Sequence, residues 1–104
     1  MIIEQRIYEL KPGTMAAFLR AYEDEGMALQ RDTLGGLLGY FASEVGELNR
    51  VIQLWRFDSF EERARRRAAL SATPAWREFL SRAGSMVVAQ RSELLTPAPF
   101  SPIR

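Results

Sequence analysis

The sequence predicts a single α+β domain with the element order strand, helix, strand, strand, helix, strand. Three observations carry that prediction. Runs rich in β-branched and aromatic residues alternate with stretches of helical periodicity. Helix-start residues fall at Thr14, Ser59 and Thr73, each just before such a stretch. The chain has 104 residues, enough for one domain and too few for two.

The first strand is Ile2 to Leu10, with Ile3 and Ile7 on one face and Ile2, Tyr8 and Leu10 on the other. Lys11-Pro12-Gly13-Thr14 breaks it, and Thr14 is placed to cap a helix. Met15, Phe18, Leu19, Tyr22 and Leu29 recur at helical spacing to about Arg31. Gly26 weakens this pattern by about 1 kcal/mol relative to Ala, so it marks a bend or a close approach. Leu34-Gly35-Gly36 ends the helix, and Leu37 to Val45 reads as the second strand. Gly46-Glu47-Leu48 has hairpin length.

Asn49 to Phe57 is the third strand, apolar on nearly every residue. Ser59-Phe60-Glu61-Glu62 is a capping box opening a helix to about Ser71. Thr73-Pro74 restarts a helix, with Pro74 at the first position. Trp76, Phe79, Leu80 and Ala83 form its apolar stripe, and Gly84 ends it. Ser85 to Leu95 is the last strand, and residues 97–104 form a Pro-rich tail.

This order is the split βαβ arrangement of ferredoxin-like folds: a four-stranded antiparallel sheet with both helical layers on one face. The other face is then bare. Yet the third strand carries Ile52 and Leu54 on one parity and Val51, Trp55 and Phe57 on the other. An apolar face of this size does not normally stay in water. Burying about four such side chains per subunit is worth roughly 6–12 kcal/mol before association costs. A homodimer with its two sheets face to face, a dimeric α+β barrel, is the simplest solution.

Composition excludes more chemistry than it supports. There is no Cys, hence no disulfide, thiol catalysis or Cys metal site. There is no His, hence neither the commonest general base nor the commonest transition-metal ligand. No metal and no cofactor are expected. The net charge of +1 argues against nucleic-acid binding through global charge. No apolar run reaches about 20 residues, so no membrane span is expected. The start lacks the features of a signal peptide, and a cytoplasmic location is the expectation.

Several segments together resemble the NIPSNAP family of the dimeric α+β barrel group. They are Arg6-Ile7-Tyr8-Glu9-Leu10-Lys11-Pro12-Gly13, the stretch from Leu38 to Asn49, Leu54-Trp55-Arg56-Phe57-Asp58-Ser59, Thr73-Pro74-Ala75-Trp76, and the closing Pro97-Ala98-Pro99-Phe100-Ser101-Pro102. Gln5 and Ile7 depart from the Leu and Thr more usual in the family. The resemblance implies a homodimer around a central cavity, with no settled catalytic set or cofactor. Neighbouring families in the group include cofactor-free monooxygenases and isomerases, which raises the expectation of a small apolar ligand. Fold alone assigns no reaction.

The candidate ligand-binding residues are Arg6, Tyr8, Glu44, Gln53 and Trp55. If Ile3, Ile7, Ile52 and Leu54 cover the helices, then Arg6, Tyr8, Gln53 and Trp55 point into the space between two sheets. A cation, a phenol, an amide and an indole would then form one patch, with Arg6 anchoring an acidic ligand. The plainer reading is a dimer interface with satisfied polar groups. Glu44 and Asn49 flank the hairpin; Asn49 supports the turn, and Glu44 is a ligand contact or base if buried. Arg63, Arg65, Arg66 and Arg67 read as a solvated helix face, because Glu61 and Glu62 precede Arg65 and Arg66 by four. The function expected is a homodimer enclosing a small-ligand cavity. The alternatives are a cofactor-free monooxygenase-like or isomerase-like enzyme, and a non-catalytic interaction module.

Overall fold

The computed structural model describes residues 1–104. Four strands form one sheet: β1 (Ile2–Leu10), β2 (Gly36–Ala42), β3 (Arg50–Phe57) and β4 (Val87–Leu95), in the spatial order β2-β3-β1-β4. All neighbouring pairs are antiparallel. The helices are α1 (Met15–Ala21), α2 (Met27–Leu34), α3 (Phe60–Ser71) and α4 (Pro74–Ala83). The fold is the α+β, ferredoxin-like one that the element order predicts.

The helical segment between β1 and β2 is interrupted. Tyr22–Gly26 forms a π turn between α1 and α2. Gly26 sits there because Phe79 of α4 occupies the space of a side chain: a Cβ at Gly26 lies 2.8 Å from the Phe79 ring. The close approach signalled by this glycine is therefore made by an aromatic side chain.

The α3 capping box forms as expected. Glu62 N–H donates to Ser59 Oγ at 3.0 Å, and Glu62 Oε2 accepts from Asp58 N–H. Thr14 and Thr73 do not cap with their side chains. Their hydroxyls donate backwards instead, to the carbonyls of Lys11 and Ala69. The β2–β3 connection is longer than Gly46-Glu47-Leu48, spanning 43–49. Asn49 enters β3 with φ 62°, a conformation Asn tolerates better than most residues. Leu38 is the extra residue where the β2–β3 register shifts, and it points out half-exposed.

The faces of the sheet are the reverse of the sequence expectation. Leu10 on β1 and Val51, Trp55 and Phe57 on β3 join Phe18, Leu34, Leu70 and Phe79 in the core beneath the helices. Ile3, Ile7, Ile52 and Leu54 therefore lie on the far side, which no helix covers. Both parities of β1 and β3 are apolar, so alternation alone does not choose between them. Bulk and charge do. The aromatic set fills the layer under the helices, and the two charges on that face of β1, Glu4 and Arg6, are paired there. The tail returns across the outer face, where Pro97, Ser101 and Ile103 line a shallow groove with Ile3 and Leu54.

Candidate functional site

A cavity of about 360 Å³ lies between the sheet and the helices. The sheet supplies Tyr8, Tyr40 and Gln53 to it; the helical layer supplies Phe18, Tyr22, Gln30, Trp76 and Phe79. Leu80 and residues Val87 to Gln90 complete it towards the β4 edge. Every tyrosine of the chain lines this one space.

Local structure explains the convergence. Strand pairing aligns Tyr40 of β2, Gln53 of β3 and Arg6 of β1 in one cross-strand row. The next row along β1 brings Tyr8 beside Gln90 of β4. The π turn begins at Tyr22 and sets its ring on Tyr40, with centroids 4.5 Å apart and planes at 25°. The Tyr22 hydroxyl donates to Gln30 Oε1 at 2.6 Å. Trp76 and Phe79 pack at 5.3 Å to close the α4 side. Offset aromatic stacking of this kind holds ring positions as well as adding attraction.

The polar atoms are arranged in two tiers. In the tier that touches the cavity, Gln53 Oε1 accepts from Trp55 Nε1 at 2.9 Å, and the Tyr8 hydroxyl accepts from Arg6 Nε at 3.3 Å. The Tyr40 hydroxyl is buried and has no hydrogen-bond partner. Such a group costs free energy until something satisfies it. Burial pushes the Tyr22 and Tyr40 phenols well above their ordinary pKa, so both stay protonated.

Behind this tier lies an ion-pair cluster. Glu4, with no side-chain exposure, receives Arg6 Nη1 at 3.0 Å, Arg63 Nη2 at 2.8 Å and Ser92 Oγ at 2.5 Å. Arg67 Nη1 stands 3.7 Å from its other oxygen and is buried without a hydrogen bond. Burial pushes the Glu4 carboxyl up, but hydrogen bonds from Arg63 and Ser92 and the charges of Arg67 and Arg6 outweigh it and hold the carboxyl down to about 2. Arg63 and Arg67 thus face inward. Arg66 bonds Glu62 and the Thr33 carbonyl. Of the arginine run, Arg65 alone is fully on the solvent side of α3, which corrects the expectation of one solvated face.

The structure redistributes the sequence candidates. Arg6, Tyr8, Gln53 and Trp55 do form one patch, but beneath the helices of their own chain and not in a space between two sheets. The reason is the face reversal of β1 and β3. Tyr8 and Gln53 line the cavity, while Arg6 and Trp55 stand behind them. Glu44 is exposed in the 43–49 loop and joins none of these groups.

Tyr22, Gln30, Tyr40 and Glu4 escaped the sequence reading. Glu4 had a signal: it shares its strand face with Ile2, Tyr8 and Leu10, and Arg63 and Arg67 sit four apart on one helix face. No group of three or more Asp or Glu side chains is arranged to hold a metal ion. No helix is long and apolar enough to cross a membrane.

The chain matches the NIPSNAP family model over residues 3–102. It is 34% identical over 99 residues to the human protein NipSnap homolog 3A, covering 93% of this chain and 39% of that protein. The chain spans between 19% and 42% of the length of the first curated relatives it matches. Among solved structures, a NIPSNAP family protein of unknown function from Agrobacterium tumefaciens superposes with a TM-score of 0.98 at 41% identity, covering 100% of this chain and 94% of that one. A NIPSNAP-like domain protein from Burkholderia xenovorans gives 0.95 at 43% identity, over 97% of this chain and 88% of that one. An antibiotic biosynthesis monooxygenase gives 0.64 at 13% identity over 95% of this chain and 100% of that one, a likeness of fold alone. The sheet order, the helical layers and a family match that runs almost from end to end agree, and the chain belongs to the NIPSNAP family.

Proposed function

We propose that this NIPSNAP protein is a homodimer in which each subunit binds a small apolar molecule between its own sheet and helices. The observation that carries the reading is a cavity of about 360 Å³ with mainly apolar walls, lined by Tyr40, whose buried hydroxyl has no partner. That volume lies at the small end of ordinary ligand pockets, which span roughly 300–1,000 Å³. Convergent polar groups in an apolar enclosure suit binding. The Tyr22 and Tyr40 phenols are held protonated, and no carboxylate, histidine or cysteine lines the cavity to serve as a base near neutral pH. Binding is favoured over acid–base catalysis on that ground.

Dimerisation is proposed through the outer sheet face, where Ile52, Leu54 and the half-exposed Phe41 form an apolar surface that no helix of this chain covers. The cytoplasm is the compartment proposed, and the position of a fluorescently tagged chain in cells checks it.

Naphthalene tests the pocket. It should saturate one site per chain and perturb Trp76 fluorescence. Ala83→Phe, which places a ring in the cavity, should abolish that response while the fold persists by circular dichroism. A response that survives Ala83→Phe would put the ligand elsewhere.

A further inference from the structure

We infer that the sheet side of the cavity is a donor-rich surface, its amide oxygens already engaged from behind, so that the bound molecule carries an oxygen acceptor on an apolar body: a ketone, an enolate or a carboxylate. This rests on the pocket reading above. The inference comes from which groups stand behind the lining.

An indole N–H and a guanidinium only donate. Trp55 Nε1 therefore commits Gln53 Oε1 to accepting, at 2.9 Å, and turns the Gln53 amide N–H groups the other way. Arg6 Nε commits the Tyr8 oxygen to accepting, at 3.3 Å, and frees the phenolic proton. Arg6 Nη2 does the same to Gln90 at the mouth, reaching its Oε1 at 3.4 Å. Tyr40 has no partner at all.

Four polar residues of the sheet, Tyr8, Tyr40, Gln53 and Gln90, line the cavity with protons to give. Arg6 and Trp55 never reach the ligand. They are positioning residues that set its hydrogen-bond polarity. Arg6 is itself held by Glu4 at 3.0 Å, so the polarity is fixed from two layers down. Burial keeps the Tyr40 phenol protonated, which preserves its role as donor.

The test compares three probes of similar shape on the intact chain: 2-acetylnaphthalene, its apolar isostere 2-ethylnaphthalene, and 2-naphthylmethylammonium. One net hydrogen bond is worth about three- to tenfold in affinity, so the ketone should bind at least about tenfold more tightly than the ethyl compound. The ammonium should bind worst. Trp55→Phe frees the Gln53 amide to rotate and should cut the ketone preference about three- to tenfold, with 2-ethylnaphthalene affinity unchanged. Tyr40→Phe keeps the ring and removes only an unpartnered oxygen. It should do the same, and it serves as the second variant if Trp55→Phe does not fold.

Equal loss for ketone and ethyl compound in Tyr40→Phe would mean a merely structural role and overturn the assignment. Equal binding of ketone and ethyl compound by the unaltered chain would overturn the polarity and leave the pocket standing. Tightest binding by the ammonium would overturn it outright. Binding of none of the three would overturn the pocket reading and this inference with it.

Discussion

Glu4 is one carboxylate set among three guanidinium groups, and its side chain has no exposed surface. Its carboxyl titrates at about 2 in the folded chain against an ordinary 4.5, so the cluster binds the charged form. That difference corresponds to about 3 kcal/mol. Because the folded value is the lower one, this stability is fully present above about pH 4.5 and drains away as pH falls towards 2. Urea unfolding at a series of pH values should show that decline, and Glu4→Gln should flatten it. The same substitution should cost about 3 kcal/mol or more at pH 7, where it leaves three arginines without their counter-charge. At this scale the sequence reading found Arg6, Tyr8, Gln53 and Trp55 as a group. It missed Glu4 because a charge in the middle of an apolar alternation reads as solvent-facing unless its partners are seen, and two of its three guanidinium partners, Arg63 and Arg67, come from a helix about 60 residues further on.

The elements differ in how far local chemistry decides them. The Ser59 capping box was legible because all its parts lie within four residues. Ser59→Ala should cost about 1 kcal/mol of unfolding free energy. The break between α1 and α2 was legible only as Gly26, since the Phe79 ring that requires it belongs to a distant helix. The arginine run of α3 divides in the same way. Arg66 reaches across to the Thr33 carbonyl near the end of α2 and tethers the two helices, whereas Arg65 makes no such contact. Arg66→Gln should lower stability by about 1 kcal/mol, and Arg65→Gln by under about 0.5 kcal/mol. Denaturant midpoints of the two variants, measured side by side, check the contrast; equal values would return both residues to the solvated face.

For the whole molecule, element order and strand neighbours were readable because turn residues and apolar runs punctuate the chain. Which sheet face meets the helices was not. Ile3 and Ile7 compete with Tyr8 and Leu10, and Ile52 and Leu54 with Val51 and Trp55, so parity is balanced. The decision falls to packing volume and to pairing of the Glu4 and Arg6 charges with α3. This changes which substitution probes assembly. Trp55 is wholly buried in the core, so a charge there disrupts the fold and reports nothing on a partner. Ile52 faces the side without helices. Ile52→Asp should convert the proposed dimer to a folded monomer, with sedimentation velocity reporting mass and circular dichroism reporting fold. A monomeric unaltered chain at micromolar concentration would remove the dimer from the proposal.

The rim of the cavity is made of side chains, and that governs how quickly anything comes and goes. Leu80 is 45% exposed and Val88 60% exposed, and both border the opening. Rotamers of exposed residues turn over in picoseconds to nanoseconds, whereas displacing a packed helix takes microseconds or longer. Exchange of the proposed ligand through this doorway should therefore wait on no backbone event. Widening or narrowing it acts on the passage and not on the occupied state. Val88→Trp should slow entry and departure of naphthalene by the same factor in stopped-flow traces, leaving the equilibrium constant as it was. Under the proposed binding role the pocket would be a fast-sampling chamber, its selectivity decided inside, at the tyrosines, and its tempo at the threshold.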